Sequence, residues 1–349
     1  MDNGIVISTP PHVKSKQTTR MIMIDVCIAL LPCAIAGIVY FGALAVMVEL
    51  VSVLSCVATE FVYYFIQNKG FSNKCKDAKK VCLRWLKQFD FTSVVTGLIL
   101  ALIVPSSVHW YEILIGGIFA IAVVKMLFGG TGKNLVNPAA AARVFLLMSF
   151  AVSMTKYTLP AFDSICWDSG SLTAGATNLS SVLGKNPHSV LEPLDLFLGT
   201  GVYGCIGETC KVAILAGFIY LCARRIIKWW QPVLFIAVFG FTAVILSGFA
   251  FESGYKFDIS LFLPHILSGG VMFAAVFMFP DYVTSPKCVW GQLVYYIAGA
   301  VLTAVLRYLS GMEIASYAIL IMNLFVPLID KHIRPRPFGY AKIKKAEGK

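Results

Sequence analysis

Charge is what this chain has least of. Asp, Glu, Lys and Arg together make 13% of its 349 residues, against 58% hydrophobic residues and a mean hydropathy of +0.78. So few polar groups cannot cover a water-soluble surface, and the chain reads as a polytopic membrane protein. Strict alternation of apolar and polar residues is also missing. Runs such as "IMIDVCIALLPCAIAGIVYFG" are apolar on every face, which excludes a barrel and leaves an all-α fold. At roughly 20 residues per crossing, the length suits about ten transmembrane helices.

Clustered metal ligands are absent too. None of the ten cysteines forms CxxC or a CxxCxxC run, so the chain offers no iron–sulfur ligands of its own and no metal site is expected. Cys166, Cys205 and Cys210 fall on or beside one long loop, where a disulfide could form; the other seven read as small packing residues. The five histidines give no close pair inside a span, which argues against a bis-histidine haem. His265, after Pro264, reads as a satisfied interior histidine. No cleavable leader is expected, because residues 1–20 are polar and the apolar stretch that follows runs straight into a second.

What is there begins with the spans, read at about 21–41, 43–67, 91–105, 113–128, 138–154, 208–223, 230–248, 259–280, 291–309 and 312–329. The net charge of +11 sorts onto their ends. With the N-terminus cytoplasmic, 22 of the 29 Lys and Arg fall on inside segments and only Lys156, Lys185 and Lys256 outside, as the positive-inside rule demands. Both termini are then inside. Attraction to anionic headgroups accounts for the basic residues without a nucleic-acid partner. The chain divides into a cytoplasmic N-terminus (1–20), a first five-helix half (21–154), an outside loop (155–207), a second five-helix half (208–329) and a basic tail (330–349).

Five spans on each side of the loop put the halves in opposite orientations, as in inverted repeats. "VTGLILALIVPSS" (95–107) and "LSGGVMFAAVFMFPDYVTSP" (267–286) share a hydroxyl residue, a glycine, an apolar run, then proline and small polar residues. The third span is short, 15 residues from Phe91 to Pro105, and short or Gly/Pro-interrupted spans in matching places point to broken helices around a midplane site.

"GGTGKN", Gly129 to Asn134, imitates a phosphate-binding loop. The full pattern fails, with Leu127 at the first glycine position and Asn134 where Ser or Thr should follow Lys133. "LFGGTGKNLVNPAAAARVFL" reads as a span ending in glycines, a short loop, and a helix opened by Asn137 as cap and Pro138 at its first position. A tight cytoplasmic turn explains that much. Asn134 and Asn137 also bring two carboxamides to a place where Gly129, Gly130 and Gly132 let a flat ligand approach the backbone. A neutral heterocycle with donor and acceptor edges, such as a flavin ring, suits such a site.

The outside loop carries "DSGSLTAGATNLSS". Thr173, Ala174, Gly175, Ala176 and Thr177 present hydroxyls among side chains too small to block access, and a threonine hydroxyl needs an external enzyme to activate it. A polar linker is the plain alternative.

These stretches carry a resemblance. "TAGATNL", ending in Thr177 and followed by Asn178, resembles the Ser-Gly-Ala-Thr motif on which a flavin transferase esterifies the threonine with the phosphate of FMN. "GGTGKNLVNPAA" is similar to Gly-Gly-x-Gly-x-Asn-x-x-Asn-Pro-Ala in the same proteins, and "FPDYVTSP" with "NLFVPLIDKHIRPRPFGY" to their C-terminal part. The family is RnfD, the membrane-embedded D component of the Rnf ion-translocating ferredoxin:NAD oxidoreductase complex, with its sister, the B component of the sodium-pumping NADH:quinone oxidoreductase. The sister tends to carry a longer N-terminal extension. The likeness runs from about residue 20 to 340. It implies covalent FMN on Thr177, with Thr173 as fallback, and a second flavin, riboflavin, near Asn134 and Asn137, with Asp281 and Thr284 facing the same region. Ala174 departs from the usual serine but is equally small. The implied partners are the other membrane, flavin and iron–sulfur subunits of such a complex, in a bacterial cytoplasmic membrane.

A flavin outside and one near 129–138 inside would shorten an electron path across about 30 Å of hydrocarbon. Intramembrane Asp25, Glu49, Glu60, Lys125, Arg143 and Glu208 are candidates by default for coupling that path to Na+ or H+, though none is assigned as an ion ligand and Asp25 and Glu60, near the cytoplasmic ends, suit an interfacial role equally well. A channel or secondary transporter is the competing class.

Overall fold

The computed structural model describes residues 17–68, 75–160, 174–175, 192–250 and 258–333. Beyond one two-stranded pairing and an isolated bridge, the regular structure described is helical. Helix α1, Thr19–Phe41, opens on Thr18, whose hydroxyl accepts the Met21 N–H at 3.3 Å. It ends at Gly42, whose φ of 63° only glycine adopts readily, and α2, Ala43–Gln67, begins at once. Then follow α3, Cys75–Gln88, and α4, Thr92–Leu102. Helix α5, Trp110–Ile118, continues as a π-helix over Phe119–Met126, and α6, Pro138–Ser149, leads to a short α7, Ala151–Met154. Strands β1, Tyr157–Thr158, and β2, Ala174–Gly175, pair antiparallel. Helix α8, Pro193–Leu198, precedes α9, Lys211–Ala223, and α10, Trp230–Ser247. A 3-10 turn at Ile259–Leu261 enters α11, Phe262–Leu267; after a break comes α12, Val271–Phe273, running on as a π-helix to Met278. Helices α13, Val289–Ser310, and α14, Ala315–His332, finish the described chain.

Helix therefore falls within each of the ten expected segments, but not as ten simple crossings. Among the described residues four helices, α1, α2, α10 and α13, are long and apolar enough to cross alone, and a fifth crossing exists if the pair Ile259–Leu267 and Val271–Met278, bent by 70°, counts as one. Helices α4, α6 and α9 are shorter apolar pieces. Interruption explains the shortfall. The chain turns at Ile103–His109 after α4 and at Ser268–Gly270 between α11 and α12. Large apolar side chains such as Leu31, Ile35 and Val39 of α1, Leu50 and Leu54 of α2 and Leu324 and Leu328 of α14 are exposed, the surface a multi-pass membrane protein turns to lipid.

Small residues let the helices approach. A Cβ on Gly97 of α4 would stand 2.8 Å from Val53 Cα and 3.0 Å from Ser52 O of α2. The Ser52 hydroxyl closes the same contact by donating to Gly97 O at 2.7 Å. Gly217 of α9 lies against Ala29 O of α1 in the same way, its would-be Cβ at 2.4 Å.

Helix α3 was not foreseen as an element: the basic segment expected at the membrane surface folds into an amphipathic helix. Its Trp85 packs edge-on against Phe61 of α2, ring centres 5.1 Å apart, and against Phe89 at 4.9 Å. The end of the expected outside loop is likewise not a surface loop. Cys205, Ile206 and Glu208 are buried, and the Ile206 and Gly207 N–H groups donate to Val104 O and Leu102 O at 3.2 and 2.8 Å, satisfying carbonyls that α4 leaves open where it stops.

Candidate functional site

Asn137 sits where the sequence places it, as the cap of α6 ahead of Pro138. Its side-chain oxygen accepts the Ala139 and Ala140 N–H groups at 3.1 and 3.3 Å, and its amide donates to Met278 O at 3.4 Å. The carboxamide expected to face a ligand is thus mostly committed to structure, with one N–H left over. Asn134 donates to Val136 O at 3.2 Å.

Both asparagines line one cleft. It holds about 850 Å³ of empty space, open mouth included, between the start of α4, the end of α5, the 131–139 loop and the 276–283 turn. Gly132, at φ 86°, and Asp281 line it as well. Thr284 does not reach the cleft but stands behind it, donating to Asp281 Oδ2 at 3.0 Å. Gly129 and Gly130, at φ 104° and 88°, line a second cavity instead. The expected residues are therefore split by the glycine loop: Gly132, Asn134, Asn137 and Asp281 on one side, Gly129 and Gly130 on the other.

The walls include apolar side chains from Val95, Ile99, Ile227 and Phe277, and Thr92, Thr96, Lys125, Thr131, Asn134, Asn137 and Asp281 supply the polar groups. Burial raises the Asp281 carboxyl above the usual carboxylate range, while hydrogen bonds from the Thr284 hydroxyl and the Val283 N–H pull it back down. Apolar walls with Thr131, Asn134 and Asp281 among them give a site both apolar surface and hydrogen-bonding groups.

Sequence reasoning passed over Asn323. With its amide oriented so that the oxygen accepts the Asn137 N–H at 3.0 Å, it donates to Thr284 O at 3.2 Å, tying the loop to the turn behind the cleft. An asparagine inside the apolar run "ILIMNLFV" is the signal that could have found it.

Of the attachment motif, Ala174 and Gly175 form β2; Thr173, Ala176, Thr177 and Asn178 lie outside the described residues. Strand β1, their partner, is fixed in turn: Thr158 bridges to Gly204, and its hydroxyl meets that of Ser106 at 2.6 Å. The cleft contains Thr92, at the start of α4, whereas Ser106 follows its end. The cleft also reaches Val95, Thr96 and Ile99 along α4, so this helix runs from the cleft towards the Ser106–Thr158 contact that anchors β1.

The intramembrane ionisable residues are mostly paired. Asp25 accepts both an Nε and an Nη2 hydrogen of Arg224, at 3.2 and 3.0 Å, and the Tyr220 hydroxyl at 3.0 Å. Lys125 meets Glu60 at 3.3 Å. Glu208 accepts the Cys205 N–H at 2.8 Å, and Arg143 lies 3.8 Å from the Cys205 sulfur. Glu49 leaves Oε1 without a partner among the described residues. A further pair, Arg307 with Glu313, is buried at the Ser268–Gly270 break, where Arg307 also donates to His265 O and Ser268 O at 2.9 and 3.1 Å. His265 is not satisfied as expected: it is fully buried, and neither ring nitrogen has a partner among the described residues. Cys205 and Cys210 are free thiols; Cys166 lies outside the described residues.

Comparison with known proteins gives a consistent result. The model of the NQR2, RnfD, RnfE family matches residues 6–339. The chain is 36% identical, over 98% of each sequence, to the D component of the Na+-translocating ferredoxin:NAD+ oxidoreductase complex of Acetobacterium woodii. It is 31% identical, over 97% of each, to the D component of the proton-translocating ferredoxin:NAD+ oxidoreductase complex of Clostridium ljungdahlii. To the D component of the ion-translocating oxidoreductase complex of Stutzerimonas stutzeri the identity is 33% over 93% of each.

Proposed function

This chain belongs to the NQR2, RnfD, RnfE family, and from that premise we propose that it is the flavin-carrying membrane subunit of an ion-translocating ferredoxin:NAD+ oxidoreductase complex. It works as part of an oxidoreductase whose remaining subunits supply the NAD and ferredoxin sites. Thr177 carries FMN as a phosphoester, made by a flavin transferase, and the cleft at Asn134 and Asn137 holds riboflavin without a covalent bond. A flavin there supplies electron transfer; this chain's residues bind the ring, keep water out and set its potential through hydrogen bonds and burial. Ten crossings in two inverted halves, in a bacterial cytoplasmic membrane with both termini inside, set the two flavins near opposite faces. Electrons passing between them are coupled to movement of Na+ or H+, an ion that differs between the named relatives.

One observation carries this reading. Gly132, Asn134 and Asn137 from one half and Asp281 from the other meet in one cleft, and the strand holding Ala174 and Gly175 is anchored beyond the opposite end of α4. A cleft along α4, with the strand of the attachment motif anchored past that helix's end, supports a two-flavin relay. A channel or transporter would share the break between α11 and α12 but has no use for a modified threonine. The purified chain should fluoresce as a flavoprotein band on a denaturing gel, and Thr177→Ala should abolish that band. A dark wild-type band, or an intact mass without added FMN, overturns the reading.

A further inference from the structure

Lys125 sits in the wall that separates the cleft from the second cavity. It rises from the π-helical end of α5, and its ammonium meets Glu60 of α2 at 3.3 Å and donates to the Thr92 hydroxyl. The Thr92 hydroxyl in turn donates to Asp90 Oδ1 at 2.6 Å. Lys125 and Thr92 line the cleft; Glu60 and Asp90 line the second cavity, and Thr131 borders both. The Lys125 side chain is 4% exposed and that of Glu60 12%. Among the described residues lining the cleft, Lys125 is the one cation.

A buried ammonium held by a single carboxylate is a costly arrangement that an apolar pair of equal volume would avoid. It becomes useful where negative charge arrives. We propose that Lys125 is the residue that stabilises the negative charge gained by the redox ligand of the cleft, with Glu60 as its resting counter-ion and its competitor. The inference rests on the flavin reading of the cleft. An electron passed to the ring from a reduced iron–sulfur donor, itself oxidised by one electron, adds one negative charge. Lys125 keeps its proton, so ring and ammonium together go from +1 to neutral and no other atom is transferred. In low dielectric the interaction is strong enough to set a potential, and Glu60 weakens it by drawing the ammonium away from the cleft.

The sign of the effect separates this role from a structural one. In the full chain carrying its flavins, redox titration of the non-covalent flavin should give a lower midpoint potential for Lys125→Gln than for wild type. A tenfold loss of preference for the reduced form corresponds to about 59 mV for one electron. Glu60→Gln should move the potential up, and Lys125→Arg should restore it towards wild type. The double variant K125Q/E60Q leaves no unpaired buried charge, so it keeps the test open if K125Q alone fails to fold; its midpoint should fall below that of E60Q. Equal flavin content with unmoved potentials, or K125Q and E60Q shifting the same way, overturns the assignment of Lys125. A wild-type protein that releases no non-covalent flavin on denaturation overturns the reading of the cleft instead, and this inference with it.

Discussion

Asn137 and Met278 stand 141 positions apart, yet the carboxamide of the first donates to the carbonyl of the second at 3.4 Å. One side chain thereby caps α6 and holds the π-helical end of the α12 segment, so the 129–138 loop and the 276–283 turn form one wall.

Asn137→Ala removes both functions. The lost cap alone costs about 1 kcal/mol, and on the flavin reading proposed for the cleft the purified protein should also lose non-covalent flavin. Asn137→Asp keeps the cap acceptor and loses the donor to Met278. It should therefore melt close to wild type in detergent while still binding flavin poorly; equal flavin content in all three proteins would refute the link between the bridge and the cleft.

At the α2–α4 crossing, Gly97→Ala forces a methyl into the backbone of Ser52 and Val53. Overpacking of this kind costs about 1–3 kcal/mol, whereas Ser52→Ala, which removes one hydrogen bond, should cost about 1 kcal/mol. Thermal unfolding followed by circular dichroism ranks the two, and Ser52→Ala is expected to be the milder.

The Arg307–Glu313 pair at the helix break is almost fully enclosed. Glu313→Gln leaves the guanidinium without its counter-charge and should destabilise by about 3–5 kcal/mol. Arg307→Met with Glu313→Leu replaces charge by packing and should recover much of that loss. A double variant no better than Glu313→Gln would mean that the donations from Arg307 to His265 O and Ser268 O, and not the ion pair, hold the break.

Asp281 gives a dependence on pH. Burial raises its folded pKa, so the folded state favours the protonated carboxyl, and its contribution to stability is present in acid. That contribution falls as pH rises from the ordinary aspartate value, about 3.9, through the raised folded value. Asp281→Asn removes the titration: its melting temperature minus that of wild type should grow across that interval and then level off. A difference independent of pH would show that Asp281 is solvated.

Much of this was legible in the sequence because apolar runs in a membrane need no tertiary context. A stretch such as 19–41 must be helical in lipid, since nothing else satisfies its backbone. The α6 start was readable for a local reason, Asn followed by Pro being a cap and a first-turn residue. The breaks resisted reading in detail. Where α4 stops at Leu102, its open carbonyls are satisfied by Ile206 and Gly207, a hundred residues later, and no local pattern announces such a partner. The division of the glycine loop between two cavities was hidden for the same reason: "GGTGKN" shows three flexible positions but not that Lys125, just before it, builds the wall between them. Helix α3 was visible only as basic charge, because its anchoring depends on Phe61 in another helix.

The pairing of Gly175 with Tyr157 makes β1 a shared anchor. Thr158 of the same strand bridges to Gly204 and meets the Ser106 hydroxyl. A load applied at residues 174–175 is therefore carried into the chain just beyond α4, and loosening either contact releases both ends of that connection together.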